Sequence, residues 1–397
     1  MKRKWLCSGL AAGALAVGSL AAVGMPGANA MPVHTGIGPV HQVRACPIPK
    51  HPAPGFMACM AIGLADASGK LLTGSAAHPL VGFNSADVQK AYNLTGLKSG
   101  GATVAIVDAF GYPTLESDLA QFRKMNNLPP CTTKSGCLTV MNQHGGSKPP
   151  PTNSGWDLEQ ALDLQMVSAA CPDCKILMVQ GNRNFNFSLG KSVDRAAMQK
   201  GVVAISNSYG GNPRRNQAYY NHPGIAVTAS TGDSGWQQYG GYPATDTHVI
   251  AVGGTSVFQD GSKRGYHESA WAGAGSGCSR PNRPPKYQTT VKTSCDTDAT
   301  GDVSGPADPN NGGLILIFKG ATTQVGGTSE SSPFIAAVYA LSGHHGGYPG
   351  KLPYRNTKDL YDVTTGSNGS CGAPLCNAGK GWDGPTGLGT PNGVAAF

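Results

Sequence analysis

The sequence predicts an α/β fold in which a mostly parallel central sheet carries helices on both faces. Three observations predict it. Apolar runs rich in Val, Ile and Ala occur without polar alternation, as at Ala102-Thr103-Val104-Ala105-Ile106-Val107-Asp108 and Val202-Val203-Ala204-Ile205-Ser206-Asn207-Ser208, which is the pattern of strands buried on both faces. Segments of helical period separate these runs and favour parallel pairing through crossovers. No shift of composition and no internal repeat divides residues 84 to 397, so one large domain accounts for them.

In chain order, Met1-Lys2-Arg3-Lys4-Trp5 leads into an apolar Ala, Leu, Val and Gly stretch that ends at Ala28-Asn29-Ala30. A basic start, a short apolar run and an A-x-A end make residues 1–30 a secretory signal peptide. No later stretch is long and apolar enough for a membrane helix. Residues 31–82 are rich in Pro, Gly, His and Ala with little periodicity, and form an irregular N-terminal extension or short pro-segment. The main domain spans 83–397. It opens with a capped helix at Ser85–Tyr92, then the strand ending at Asp108, then a helix from Leu115 to Met125. A helix from Trp156 to Ala170 precedes a strand at Lys175–Val179. Further strands are expected at 202–208, at Ile225–Ser230 and at His248–Gly254.

Removing Lys2, Arg3 and Lys4 from 30 basic against 22 acidic side chains leaves a formal charge of +5. No basic run accompanies it, which argues against nucleic acid as a partner. Ten cysteines remain after Cys7 and fall in local pairs, Cys46/Cys59, Cys131/Cys137, Cys171/Cys174, Cys278/Cys295 and Cys371/Cys376. In an exported chain these suggest up to five short-loop disulfides.

Three stretches carry chemistry. Glu159 and Asp163 lie four apart on the Trp156–Ala170 helix, on a face shared with Leu162, Met166, Val167 and Ala170, while Asp157, Gln165 and Ser168 fall on the other side. Two carboxylates on an apolar face are costly unless they share a proton or serve a purpose. Ala229-Ser230-Thr231-Gly232-Asp233-Ser234-Gly235 runs an apolar strand into a turn whose acid points to the crevice beyond the strand ends. Gly326-Gly327-Thr328-Ser329 enters a small, apolar helix, which exposes a serine hydroxyl among unpaired N–H groups.

Taken together, Ser329, Glu159, Asp163 and Asp233 resemble the sedolisin family, serine-carboxyl peptidases with a subtilisin-like fold. The likeness runs from about Asn84 to the C-terminus. It includes Glu159-Gln160-Ala161-Leu162-Asp163, Ala170-Cys171-Pro172, the strand from Ile205 to Gly210, the Ser-Thr-Gly-Asp-Ser-Gly turn, Tyr242-Pro243-Ala244, Ala251-Val252-Gly253-Gly254-Thr255, and Asp302-Val303-Ser304 with Ala307-Asp308-Pro309. The resemblance implies that Ser329 attacks a peptide carbonyl, that Glu159 is its general base held by Asp163, and that Asp233 completes the oxyanion hole. Asp233 donates a hydrogen bond only when protonated, which implies an acid optimum.

The resemblance further implies that Ser208-Tyr209-Gly210 pairs with substrate backbone, with Tyr209 where a Trp is common. It also implies one calcium ion on the side chains of Asp362 and Asp383 and the carbonyls of Val363, Gly379 and Gly381, a hard-oxygen set suited to that ion. Glu330 stands where the family is often small. The expected protein is thus a secreted, monomeric endopeptidase acting on proteins or peptides at acid pH, with no membrane attachment once the signal is removed. Two alternatives stand beside it. One is a catalytically silent peptide-binding relative. The other is a subtilisin-type Ser/His/Asp enzyme using Asp108, but the chain has no H-G-T-H segment and His144-Gly145-Gly146 is a poor substitute.

Overall fold

The computed structural model describes residues 40–74, 79–344 and 346–397, so the expected signal peptide lies outside the described residues. The strands of the principal sheet are β4 (Thr103–Ala109), β5 (Leu138–Asn142), β6 (Lys175–Gly181), β7 (Val202–Asn207), β9 (Ala226–Ser230), β11 (Ile250–Gln259), β12 (Tyr266–Ala270) and β14 (Val303–Pro306). They run in the order β12-β11-β9-β7-β4-β6-β5, with β14 also on β11. All pairings are parallel except that of β11 with β12. This is the subtilisin-like α/β architecture that the sequence predicts.

The two-residue side-chain period of a strand divides the sheet between two cores. On β4, Val104 and Ile106 join the core beneath α2 (Leu115–Met125), α3 (Ser154–Ala170) and α5 (Thr328–Ser342), whereas Ala105, Val107 and Ala109 join the one beneath α4 (Asn186–Ala197). By the same parity Asp108 faces α3 and α5. The helix at Ser85–Ala91, α1, is closed by an Asn84/Asp87 capping box, and the Asn153 side chain accepts the first N–H groups of α3.

Helix α3 differs from its expected two-sided pattern. It is buried all round from Trp156 to Ala170, because the sheet and α5 flank it on one side and α1, α2 and the strand β15 (Leu314–Phe318) on the other. Three of its polar residues therefore find partners inside the protein, whereas both Asp163 oxygens and one of Glu159 are buried without a hydrogen bond. Asp157 pairs with Lys319 at 2.9 Å, Gln165 exchanges two hydrogen bonds with the Ile317 backbone, and Ser168 accepts from Arg123.

The segment before residue 83 also differs from expectation. Three strands form there, β1 (His41–Arg44), β2 (Met57–Cys59) and β3 (Ile62–Ala65). β1 pairs with β3, and β3 with β16 (Ala321–Gly326), while β2 pairs with β8 (Tyr209–Gly211), all antiparallel. These strands are too short to carry a periodic signal; they form because β8 and β16 offer open edges to pair with. The five disulfides join the cysteines in the expected local pairs. No helix among the described residues is long and apolar enough to cross a membrane.

Candidate active site

The strand β16 leads through Gly326 and Gly327 straight into α5. Gly327 adopts φ 101°, a region that side chains disfavour, and this turn swings Thr328 and Ser329 into the first turn of the helix. Three anchors hold it. The Asp233 carboxylate accepts from the Thr328 N–H at 2.7 Å and hydroxyl at 2.9 Å, the Ser230 hydroxyl donates to the Thr328 carbonyl, and the Ser208 hydroxyl donates to the Ser329 carbonyl. The ends of β7 and β9 thus fix where the serine stands. Ser329, second in the helix, has no intrahelical acceptor for its own N–H.

Glu159 and Asp163 project from α3 toward this point, and Asp108 from the end of β4 joins them. All three are fully buried. Burial pushes the Glu159 carboxyl well above its usual range, with the Asp108 charge adding to it and the Ser329 hydroxyl and Ala61 N–H pulling the other way. Asp163 is raised first by burial and then by the charges of Asp108 and Glu159, and Asp108 by burial itself. Three carboxyls so placed cannot all be ionised, so the cluster holds protons that free carboxyls would lose. Asp108 entered the sequence analysis only as the acid of a rival triad. The signal for its present role was its parity with Val104 and Ile106.

Asp233 approaches from the other side of Ser329. Burial raises it to about 6 against the Thr328 hydrogen bonds and the Arg44 charge. Its Oδ2 is buried without a hydrogen-bond partner. A carboxyl near this value can serve as a proton donor in weak acid. Glu330, although next to Ser329 in sequence, turns away from the cluster toward Leu314 and Asp308. None of the described histidines hydrogen-bonds to Ser329, Glu159, Asp163 or Asp108; His144 sits beside Gln143 and Asn182 instead.

The edge expected to receive substrate is Ser208-Tyr209-Gly210, and here it carries the chain's own β2. Met57 stands opposite Gly211, Ala58 opposite Gly210 and Cys59 opposite Tyr209. Tyr209 is itself buried, its hydroxyl donating to Asn207. Along this edge lies a partly open cavity of about 180 Å³, with Phe56, Ala58 and Met60 on one wall and Gly210, Asp233 and Gly275 on the other.

Near the C-terminus the structure brings Asp362 and Asp383 together around the Gly379–Gly381 turn. The Gly381 N–H donates to Asp362 at 2.9 Å and the Gly379 N–H to Asp383 at 3.1 Å. Burial lifts Asp383 to about 7, and the Asp362 charge adds to the rise. Neither carboxylate forms an ion pair with a basic side chain among the described residues. Asp383 also accepts from the Thr386 N–H and hydroxyl, so the turn's own donors share these oxygens, and two carboxylates without a basic partner are the chemistry that suits a hard divalent cation.

Comparison with known proteins follows the same lines. Residues 148–372 match the model of the subtilase family. The chain is 30% identical over 351 residues to kumamolisin of Bacillus sp. (strain MN-32), covering 78% of this chain and 62% of that protein. It is 26% identical over 331 residues to sedolisin of Pseudomonas sp. (strain 101), covering 72% and 56%. The chain therefore spans less than two thirds of the length of these relatives. The solved structure of Pseudomonas sedolisin, a serine-carboxyl proteinase complexed with two molecules of pseudo-iodotyrostatin, superposes with a TM-score of 0.65 at 22% identity, over 78% of this chain and 95% of that one, a likeness of fold.

Proposed function

The chain belongs to the subtilase family, and from that premise we propose that it is a serine-carboxyl peptidase of the sedolisin type, exported and active on peptide bonds in acid. The observation that supports this most is the meeting of Ser329 with a buried, proton-holding carboxyl cluster on one side and, on the other, an Asp233 oxygen that accepts no hydrogen bond.

Ser329 Oγ attacks the substrate carbonyl and its proton passes to Glu159. Asp163, raised by burial and by the charges of Asp108 and Glu159, keeps its proton and directs it at Glu159, which holds that carboxylate in line. The oxyanion is met by the Asp233 carboxyl proton and the Ser329 N–H. Glu159 returns its proton to the leaving amine, and water then cleaves the ester. Five disulfides suit an oxidising, extracytoplasmic setting, and the expected signal peptide agrees with export. One calcium ion is proposed on Asp362 and Asp383 with the carbonyls of Val363, Gly379 and Gly381; it would neutralise the paired carboxylates and stiffen the turn.

Purified protein should hydrolyse denatured protein at about pH 4, and Ser329→Ala should fall to background. Equal inactivity of both from about pH 3 to 7, with calcium present, would sink the proposal and leave the silent peptide-binding relative.

A further inference from the structure

Two loops of one charge sign meet at the far end of the β8 edge. The first, Asn212-Pro213-Arg214-Arg215-Asn216-Gln217, continues from β8. The second, Ser279-Arg280-Pro281-Asn282-Arg283-Pro284-Pro285-Lys286, follows β13 (Ser276–Cys278) inside the loop closed by Cys278–Cys295. Together they carry five basic side chains and no acidic one. The buried Asn282 side chain joins them, accepting from the Asn216 N–H at 3.0 Å and donating to the Arg214 carbonyl at 3.0 Å and to the Thr245 carbonyl at 2.6 Å. Their prolines fix φ, so the basic side chains project from a stiff base.

These charges are left without partners. Among the described residues, Arg214, Arg215, Arg280, Arg283 and Lys286 form no ion pair, and Asp296, exposed just past the disulfide, pairs with none of them. The acids behind the loops are buried. Asp246 accepts from the Gln217 N–H and the Tyr242 hydroxyl and pairs with His248. Burial holds Asp298, whose N–H donates to the Asn282 carbonyl, well above the usual carboxyl range. Clustered like charges work against the compact state, and a ligand of opposite charge relieves them.

The edge between them says what that ligand is. β2 runs antiparallel on β8 with Met57 opposite Gly211, and the Met60 N–H donates to the Ser208 carbonyl, which lies 3.4 Å from Ser329 Oγ. A peptide that takes this edge in the same sense brings its C-terminal side to the serine and sends its N-terminal side past Gly211. Arg214 stands there, its Nη2 3.4 Å from where a Cβ on Gly55 would sit, five residues ahead of Met60. The Arg280 guanidinium lies 5.6 Å from the ring centre of Tyr239, at the end of β10 (Trp236–Tyr239), and Gln237 and Gly240 line the cavity together with Gly211 and Asn212. Gly211 and Tyr242 exchange two backbone hydrogen bonds, which holds the two sides together.

We propose that these two loops form a distal subsite that selects peptides carrying acidic side chains several residues before the cleaved bond, with Arg214, Arg215, Arg280 and Arg283 as the specificity-determining residues. This rests on the peptidase reading above. Exposed charge pairs are individually weak, so selection comes from several arginines acting together on the bound peptide and on its approach.

The test uses quenched-fluorescent peptides of one sequence that differ only in a Glu-Glu, Gln-Gln or Lys-Lys pair about five positions ahead of the cleaved bond, which mass spectrometry locates. At about pH 5 and low salt, kcat/KM should be roughly ten-fold higher for Glu-Glu than for Gln-Gln, mainly through KM, and lowest for Lys-Lys. The advantage should shrink in about 0.5 M NaCl through screening. It should vanish as pH falls to about 3, where the peptide carboxyls are protonated and arginine stays charged. In Arg214→Gln/Arg215→Gln/Arg280→Gln/Arg283→Gln the Glu-Glu to Gln-Gln ratio should approach about one, and in Arg215→Glu/Arg283→Glu the order should turn toward Lys-Lys. Because each ratio is taken within one preparation, loss of active protein cancels. Equal rates on all three peptides in the wild type overturn the inference and leave the peptidase reading standing. An undiminished ratio in the fourfold variant assigns the preference elsewhere and overturns it too. Equal peptide rates with heparin retention that needs these arginines would make the patch a polyanion dock, which also overturns it. Cleavage of none of the three peptides sinks the peptidase reading and the inference with it.

Discussion

Stability should fall as pH rises from about 4 to 7, and Asp233 allows the size to be worked out. Its carboxyl titrates near 3.8 when unfolded and at about 6 when folded, raised chiefly by burial. The folded state therefore binds the extra proton, so the contribution is complete below the unfolded value and is lost as pH rises through the folded one. A rise of about two units corresponds to about 3 kcal/mol. Asp302, buried and also raised to about 6, acts in the same direction and by a similar amount. Asp108, Glu159 and Asp163 add to the trend because burial raises each. For a domain of this size, roughly 0.7 kcal/mol of unfolding free energy corresponds to one kelvin, so Asp233 alone is worth about 4 °C in Tm. The assay is calorimetric unfolding of Ser329→Ala, which does not digest itself, at constant calcium and at several pH values between about 4 and 7. In Ser329→Ala/Asp233→Asn the fall should be shallower by that amount, since an amide keeps the Thr328 hydrogen bonds and does not titrate. A flat or rising Tm, or an undiminished fall in the Asn variant, would refute the reasoning.

Glu159→Gln should fold and lose about 10²- to 10⁴-fold in kcat, the range of a general base, measured on a peptide substrate at about pH 4. Asp233→Ala should cost about 10²- to 10³-fold in kcat, as for loss of one oxyanion donor. Asp233→Asn, whose amide donates at every pH, should lose less and should hold its rate above about pH 6, where the wild-type rate falls as Asp233 ionises. Chelation should lower the Tm by about 4 °C if calcium was present at about a hundred times its Kd; an unchanged Tm would count against the ion.

The sequence showed the sheet because buried parallel strands leave a local mark, an unbroken apolar run, and it showed the disulfides because each closes a short loop. Glu159 and Asp163 were visible for a similar reason, since four residues of helix put both on one face. Residues whose place is decided by distant partners were harder to see. Asp157, Gln165 and Ser168 read only as the side opposite the apolar face, yet Lys319, Ile317 and Arg123 are brought to them by the fold. Asp108 reads as a strand end, and only the stacking of α3 over β4 makes it the third carboxyl. β2 and β3 have almost no local signature because they exist as strands only against distant partners, β2 against β8 and β3 between β1 and β16.

That last point alters how the buried site is understood. Burial dominates the Glu159 shift, and the Ala61 N–H, which follows β2 and lies 2.7 Å from the carboxylate, opposes it. When a substrate takes the β8 edge in place of β2, water reaches Glu159, and because burial is the largest influence the movement of Glu159 is downward, toward the ordinary carboxyl range. The open enzyme should then ionise its base in stronger acid than the covered chain. The infrared carboxyl band lost in the Glu159→Gln form of Ser329→Ala, followed against pH in Ser329→Ala, reports the covered state, and kcat/KM of the wild type on an added peptide reports the open one. The acid limb of the kcat/KM profile should accordingly lie at lower pH than that titration. Coincidence of the two would mean that the segment contributes nothing to the burial of Glu159, and that the carboxyl cluster is kept dry by α3, β4 and α5 alone.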